Sequence, residues 1–206
     1  MGLRQLSKQA TRERVLHAAG DLFDEVGYDD AAIREIARRA GVSVGSVFTT
    51  FGGKADILSA VMNDRLEGLY AELERLIPHL RGGTADRLRS IMAVHYGFET
   101  RRLRLFVSYI AASYVWRSSE GITPLGANVR LRGMLADTLR QGIERGDVRA
   151  EADIATCVDV LVASYIWNYR LACQHEADSD ALIALMDRQV GLLFDGVVVN
   201  EPASLS

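Results

Sequence analysis

Two cysteines in 206 residues, Cys157 and Cys173, are too few and too sparse for a disulfide framework, and point to a reducing compartment. The Cys-x-His spacing at 173–175 offers two potential ligands, short of a closed metal site, so neither metal nor cofactor is expected. Prolines occur only at Pro78, Pro124 and Pro202, so long helices can run between them. No stretch of 18 apolar residues is present and the N-terminus lacks an apolar signal core, which argues against a membrane partner and for a soluble, cytoplasmic protein. Catalytic signatures are missing too. None of His17, His79, His95 and His175 follows a glutamate by three residues, as helical metal enzymes require. There is no phosphate-cradling glycine loop and no strand to carry a nucleophile elbow, so the chain does not read as an enzyme.

A strong charge of either sign is also lacking. The net charge is -3, and among 24 basic residues only Lys8 and Lys54 are lysines. The distribution is more informative. Arg4, Lys8, Arg12 and Arg14 face only Glu13 in the first fourteen residues, so a basic arm precedes an acidic body. That fits contact with nucleic acid at one end, and equally a solvated tail.

What is present is helical periodicity. In 11–26 the residues Val15, Ala19, Leu22, Phe23 and Val26 recur at steps of three and four, with Thr11 as N-cap and Gly27 as the stop. Residues 31–40 form a second helix, ended by Gly41. Ser43 caps a third, which buries Val47 and Phe51. Helix, tight turn and helix make a helix-turn-helix. A long fourth helix runs from about 54 to 76, and further helices are expected over 84–100, 102–117, 124–145, 152–175 and 179–198. The fold class is all-α: a three-helix DNA-binding unit joined by a long helix to a helical bundle. Expected divisions are 1–56 for arm and helix-turn-helix, 57–200 for the larger helical bundle, and 201–206 as a disordered tail.

The third helix carries the chemistry. In a helix-turn-helix its N-terminal end meets base edges in the major groove. Gly45 would let the backbone approach closely. With Val47 and Phe51 turned inward, Val44, Gly45, Ser46, Phe48, Thr49 and Thr50 remain for DNA, the hydroxyls as donors and the apolar groups against thymine methyls. Lys54 adds charge at a helix start suited to phosphate.

The frame "LF…GY…I…IA…AGVS…G…F..F..K" over residues 11–58 resembles the DNA-binding domain of the TetR family of bacterial transcriptional regulators. The resemblance implies a homodimer on a palindrome-like DNA operator, and a C-terminal bundle in which a small-molecule effector weakens DNA binding, most often relieving repression. It carries DNA-facing roles onto Val44, Gly45, Phe48, Thr49 and Lys54. Three departures stand out: Val44 replaces a lysine or threonine, Phe48 replaces a phosphate-touching tyrosine, and Ala31-Ala32 replace a hydroxyl pair. Affinity would then lean on Arg4, Lys8, Arg12 and on Arg34 or Arg38. The alternative is a sensor or adaptor of the same fold that has lost strong DNA binding.

For the larger domain, Met92, His95, Tyr96, Phe106, Tyr109, Tyr114, Trp116 and Trp167 form an aromatic and methionine stripe, read either as core or as the lining of a pocket for a small hydrophobic or aromatic ligand. Leu161, Tyr165, Leu182, Met186, Gln189, Val190 and Leu193 follow helical spacing on the last two helices and are expected to form an isologous dimer contact.

Overall fold

A computed structural model describes residues 3–99, 102–113, 128–175 and 178–197. Among these every regular element is helical: α1 (Leu3–Asp30), α2 (Ile33–Arg39), α3 (Val44–Thr50), α4 (Lys54–Leu76), a single 3-10 turn (Ile77–His79), α5 (Thr84–Glu99), α6 (Leu103–Ser113), α7 (Val129–Arg145), α8 (Ile154–His175) and α9 (Ser179–Val197). The all-α expectation holds. None of these helices is long and apolar enough to cross a membrane. The helical stretches expected over 114–117 and 124–127, and the tail at 201–206, lie outside the described residues.

The chain divides into two compact units, Met1–Gly68 with Arg102–Leu125, and Leu69–Arg101 with Gly126–Ser206. In the first, α1 begins eight residues before Thr11, because residues 3–10 contain neither proline nor glycine to stop it. Thr11 is therefore interior to α1 and is not its cap. The expected stop is where it should be: Gly27 adopts φ 83° and ψ 169°, a break that a side chain would strain. The core joins Val15, Ala19, Leu22 and Phe23 of α1 to Ile36 and Ala37 of α2, Val47 of α3, Phe51, and Ile57 and Leu58 of α4. Two polar ties add to it. Asp24 on α1 accepts from Arg65 on α4 at 2.9 Å and from Arg102 ahead of α6 at 2.9 Å. Glu25 on α1 takes a forked pair from Arg39 on α2 at 2.7 and 2.8 Å.

The second unit packs α5 against α9 and α7, and α8 against α7 and α9, with the last turns of α4 contributing Leu69, Tyr70 and Leu73 to the core. One junction is built without slack. Asp147, just past α7, accepts from the backbone N–H of Thr84 at 2.6 Å and from its hydroxyl at 2.9 Å, which caps the start of α5. Arg145 donates to the same Thr84 hydroxyl at 2.7 Å. Gly142 lies beneath this knot; a Cβ there would collide with Thr84 Oγ1 and come within 2.6 Å of Val148 Cγ2. Since Thr84 is held from two sides it cannot yield. Gly142→Ala is expected to lose about 1–3 kcal/mol of stability, as overpacked cores do, measured by urea denaturation.

Candidate functional site

A seven-residue helix has too few internal hydrogen bonds to stand alone, so α3 depends on its caps and its buried side. Gly41 takes φ 63° to close the turn after α2, and Val42 N–H reaches back to Ala37 C=O at 3.0 Å. Ser43 caps the next helix, its hydroxyl accepting from Ser46 N–H at 3.0 Å. Val47 and Phe51 turn inward at 1% and 5% exposure, and the Arg12 guanidinium stacks 4.8 Å above the Phe51 ring. On the other side Val44 is 37% and Phe48 51% exposed, with Gly45 and Thr49 beside them and Ser46 and Thr50 half-buried.

The hydroxyls are oriented differently from expectation. Thr49 donates to Gly45 C=O and Thr50 to Ser46 C=O, each at 2.8 Å, and Ser46 Oγ pairs with Ser43 Oγ at 2.8 Å. The threonine protons are committed to the helix itself, so these residues offer lone pairs and methyl groups rather than donors. Lys54 is likewise engaged: its ammonium donates to Tyr28 C=O at 2.8 Å and Asp29 C=O at 3.0 Å, and lies 4.5 Å from the Tyr28 ring centroid. It clasps the end of α1 to the start of α4, with one proton left over. Arg38 is forked onto Glu35, whose carboxyl is lowered to about 2, chiefly by the hydrogen bonds from Arg38 and Arg39. Arg34 is exposed with no hydrogen bond or ion pair among the described residues. The Ala32 N-cap of α2 makes no side-chain hydrogen bond.

Gly45 is the informative residue. A Cβ added there would meet only Ser43 Oγ, at an easy 3.8 Å. Nothing among the described residues requires glycine on this exposed turn, and glycine costs a helix about 1 kcal/mol relative to alanine.

The aromatic residues separate. Phe106 and Tyr109 are buried in the first unit, where Tyr109 donates to Asn63 at 3.4 Å. Met92, His95 and Tyr96 are fully buried in the second unit. Trp167 is 55% exposed, with Arg170 stacked on it at 5.7 Å. Tyr114 and Trp116 lie outside the described residues. Clefts of about 300 and 550 Å³ border α1 and α4 in the first unit, but polar and charged groups such as Glu13, Asp56 and Asp64 line them.

His95 and Tyr96 belong to two neighbouring sets of neutral polar groups. His95 Nδ1 lies 3.2 Å from Tyr165 Oη, and Tyr169 donates to Tyr165 at 3.4 Å. Asn168 donates to Tyr96 at 3.0 Å and exchanges two hydrogen bonds with Gln189, at 2.7 and 3.0 Å. Burial pushes His95 down to about 3 and Tyr96 upward. His95 Nε2 has no partner among the described residues.

The expected dimer face needs correction. Leu161, Tyr165, Leu182, Met186 and Val190 are at most 1% exposed, packed inside their own chain, and Gln189 is tied to Asn168. Only Leu193 of that set keeps partial exposure beyond the polar Gln189. The opposite faces of the same helices carry the exposed apolar groups: Val160 and Trp167, seven residues apart on α8, and Leu192 on α9. Both faces are apolar, so helical spacing alone could not say which one looks outward.

Residues 15–61 match the family model for bacterial regulatory proteins, tetR family. The chain is 26% identical over 155 residues to the HTH-type transcriptional regulator SrpR of Pseudomonas putida, covering 74% of this chain and 70% of that one. It is 24% identical over 156 residues to the HTH-type transcriptional regulator HbdR of Aromatoleum sp. (strain CIB), covering 76% and 68%. Thermus thermophilus FadR, a TetR family transcriptional repressor solved with lauroyl-CoA, superposes with a TM-score of 0.69 at 23% identity, over 95% of this chain and 99% of that one. RolR, solved with resorcinol, superposes with a TM-score of 0.67 at 20% identity, over 95% and 91%. At such identities the structural likeness is one of fold.

His95 also sets a pH dependence. Its folded pKa lies below the unfolded value near 6.5, so the unfolded chain takes up the proton first as pH falls. The neutral group's contribution is complete above pH 6.5 and is lost progressively below it. Between pH 7 and pH 5.5 the wild type should lose roughly 1 kcal/mol more stability than His95→Gln, read from urea midpoints at each pH.

Proposed function

The chain belongs to the TetR family of bacterial regulatory proteins, and we propose that it works as a homodimeric repressor released from a palindromic DNA operator by a small hydrophobic or aromatic ligand. It is a DNA-binding transcriptional regulator. The observation that carries the reading of its surface is Gly45, a glycine that the fold does not need, placed where α3 would meet a base edge. With Val44 and Phe48 exposed beside it, recognition rests on close apolar contact, with thymine methyls as the natural partners. Arg34 on α2 is an exposed cation without a hydrogen bond or ion pair among the described residues. A second copy of the chain is expected on the outward faces of α8 and α9, around Val160, Trp167 and Leu192. The ligands of FadR and RolR support an apolar or aromatic effector here, and the buried rings of the second unit are suited to one.

The engaged threonine protons and the clasped Lys54 favour the second reading, a fold-retaining sensor with weak hold on phosphate. Selection of duplexes from a random pool by the purified dimer separates the two. An enriched inverted repeat is the expected result; no enrichment at low salt from folded dimer would leave the sensor reading. On the selected duplex, Gly45→Ala should leave the protein as stable or up to about 1 kcal/mol more so, yet weaken binding at least tenfold, measured by fluorescence anisotropy. Arg34→Ala should flatten the slope of log K against log salt by about 2 for the dimer, one phosphate per subunit. Val160→Glu combined with Leu192→Glu should yield folded monomers by light scattering, whereas Met186→Glu should unfold the chain.

A further inference from the structure

Lys54 is engaged within its own chain, and what it engages joins helices on either side of α3. At Gly27 the backbone of α1 breaks with φ 83° and ψ 169°, and the short end beyond it presents the carbonyls of Tyr28 and Asp29. Carbonyls at the end of a helix have no amide partner within it and favour a cation. The Lys54 ammonium donates to both, at 2.8 and 3.0 Å, and lies over the Tyr28 ring. That ring packs in turn on the buried Phe23, with centroids 5.6 Å apart. Tyr28 C=O also accepts from Ala31 N–H at 3.3 Å, just ahead of α2. One backbone group therefore ties the end of α1 to the approaches of both α2 and α4.

The tie matters because of the link between α3 and α4. Phe51 is followed by Gly52 and Gly53, which have no side chains to hold the link, and a Cβ at Gly53 would meet nothing within 4 Å. Connectivity alone leaves the C-terminal end of α3 loosely aimed. The buried Phe51 fixes it from one side, and the tethered first residue of α4 fixes it from the other.

We propose that Lys54 is a positioning residue for DNA recognition, not a phosphate ligand: by tethering the start of α4 to Tyr28 and Asp29 it sets the angle at which α3 meets the duplex. The inference rests on the DNA-binding reading and changes the role of one residue in it. Two of the three ammonium protons are committed to carbonyls, and the charge is met by their dipoles and by the ring. Lys54 serves the duplex by placement.

The test measures binding of the selected duplex by fluorescence anisotropy across a salt series. Full-length wild type is compared with Lys54→Met, Lys54→Gln and Tyr28→Leu, each shown to be folded by circular dichroism. Lys54→Met should bind about tenfold more weakly, with the slope of log K against log salt as in the wild type. Loss of a phosphate ligand from each subunit would instead flatten that slope by about 2, and that result overturns the proposal. A role in stability alone would lower the urea midpoint and leave the affinity of the folded protein unchanged, which overturns it as well. Tyr28→Leu alters no charge; it should weaken binding several-fold at unchanged slope, and add little when combined with Lys54→Met. Lys54→Gln keeps a donor for the carbonyls and should recover part of the affinity without a salt effect. If Lys54→Met does not fold, the other two variants decide by the same readouts. A wild type that holds no duplex at low salt removes the DNA-binding reading and the proposal with it, whereas the ranking of variants on a bound duplex judges Lys54 alone.

Discussion

The exposed face of α3 depends on how that helix is anchored, since a helix of two turns must bury one side to exist at all. Val47 and Phe51 supply that side, and Ser43 and Gly41 fix where the helix begins. Nearly everything else in the first unit serves the same end. Arg12 covers Phe51, Lys54 holds the end of α1 to the start of α4, and Arg39 binds α2 to α1 through Glu25. With Val47 and Phe51 turned inward, the outward face is left with valine, glycine, phenylalanine and threonine, and α3 carries no charge of its own.

The arginine-rich composition looks at first like a store of phosphate contacts. The fold distributes it otherwise. Arg65 and Arg102 meet on Asp24, Arg38 and Arg39 share Glu35, and Arg130 reaches Glu74 while covering the Tyr70 ring. Exposed pairs of this kind contribute little to stability, commonly about 0–1 kcal/mol, but they orient helices and withdraw cations from other partners. A count of basic residues therefore overstates the charge left free of the fold, and Arg34 stands outside these pairs.

In the second unit the core is not purely apolar. Two hydrogen-bonded sets run through it, His95 with Tyr165 and Tyr169, and Tyr96 with Asn168 and Gln189, and His95 Nε2 has no partner among the described residues. A buried polar atom left without a partner costs about 1–3 kcal/mol. The choice of tyrosine over phenylalanine along α8 makes sense only with that network in view.

Much of this was legible in the chain itself. The helix-turn-helix, its Ser43 cap, the stops at Gly27 and Gly41, the inward Val47 and Phe51 and the all-α layout follow from local rules, since periodicity, capping and positive-φ glycines act over a few residues. The family frame over 11–58 is of the same kind, short and contiguous. The sequence did not decide what depended on distant partners. Thr11 read as a cap because nothing local says that residues 3–10 stay helical. Lys54 read as a phosphate ligand because the carbonyls of Tyr28 and Asp29 lie some 25 residues upstream. Leu161, Met186 and Val190 read as an interface because α8 and α9 are apolar on two faces, and only packing against α5 and α7 selects the buried one. Spacing along one helix reports which residues share a face; which face is covered is a property of the neighbours, and those are set by the tertiary structure.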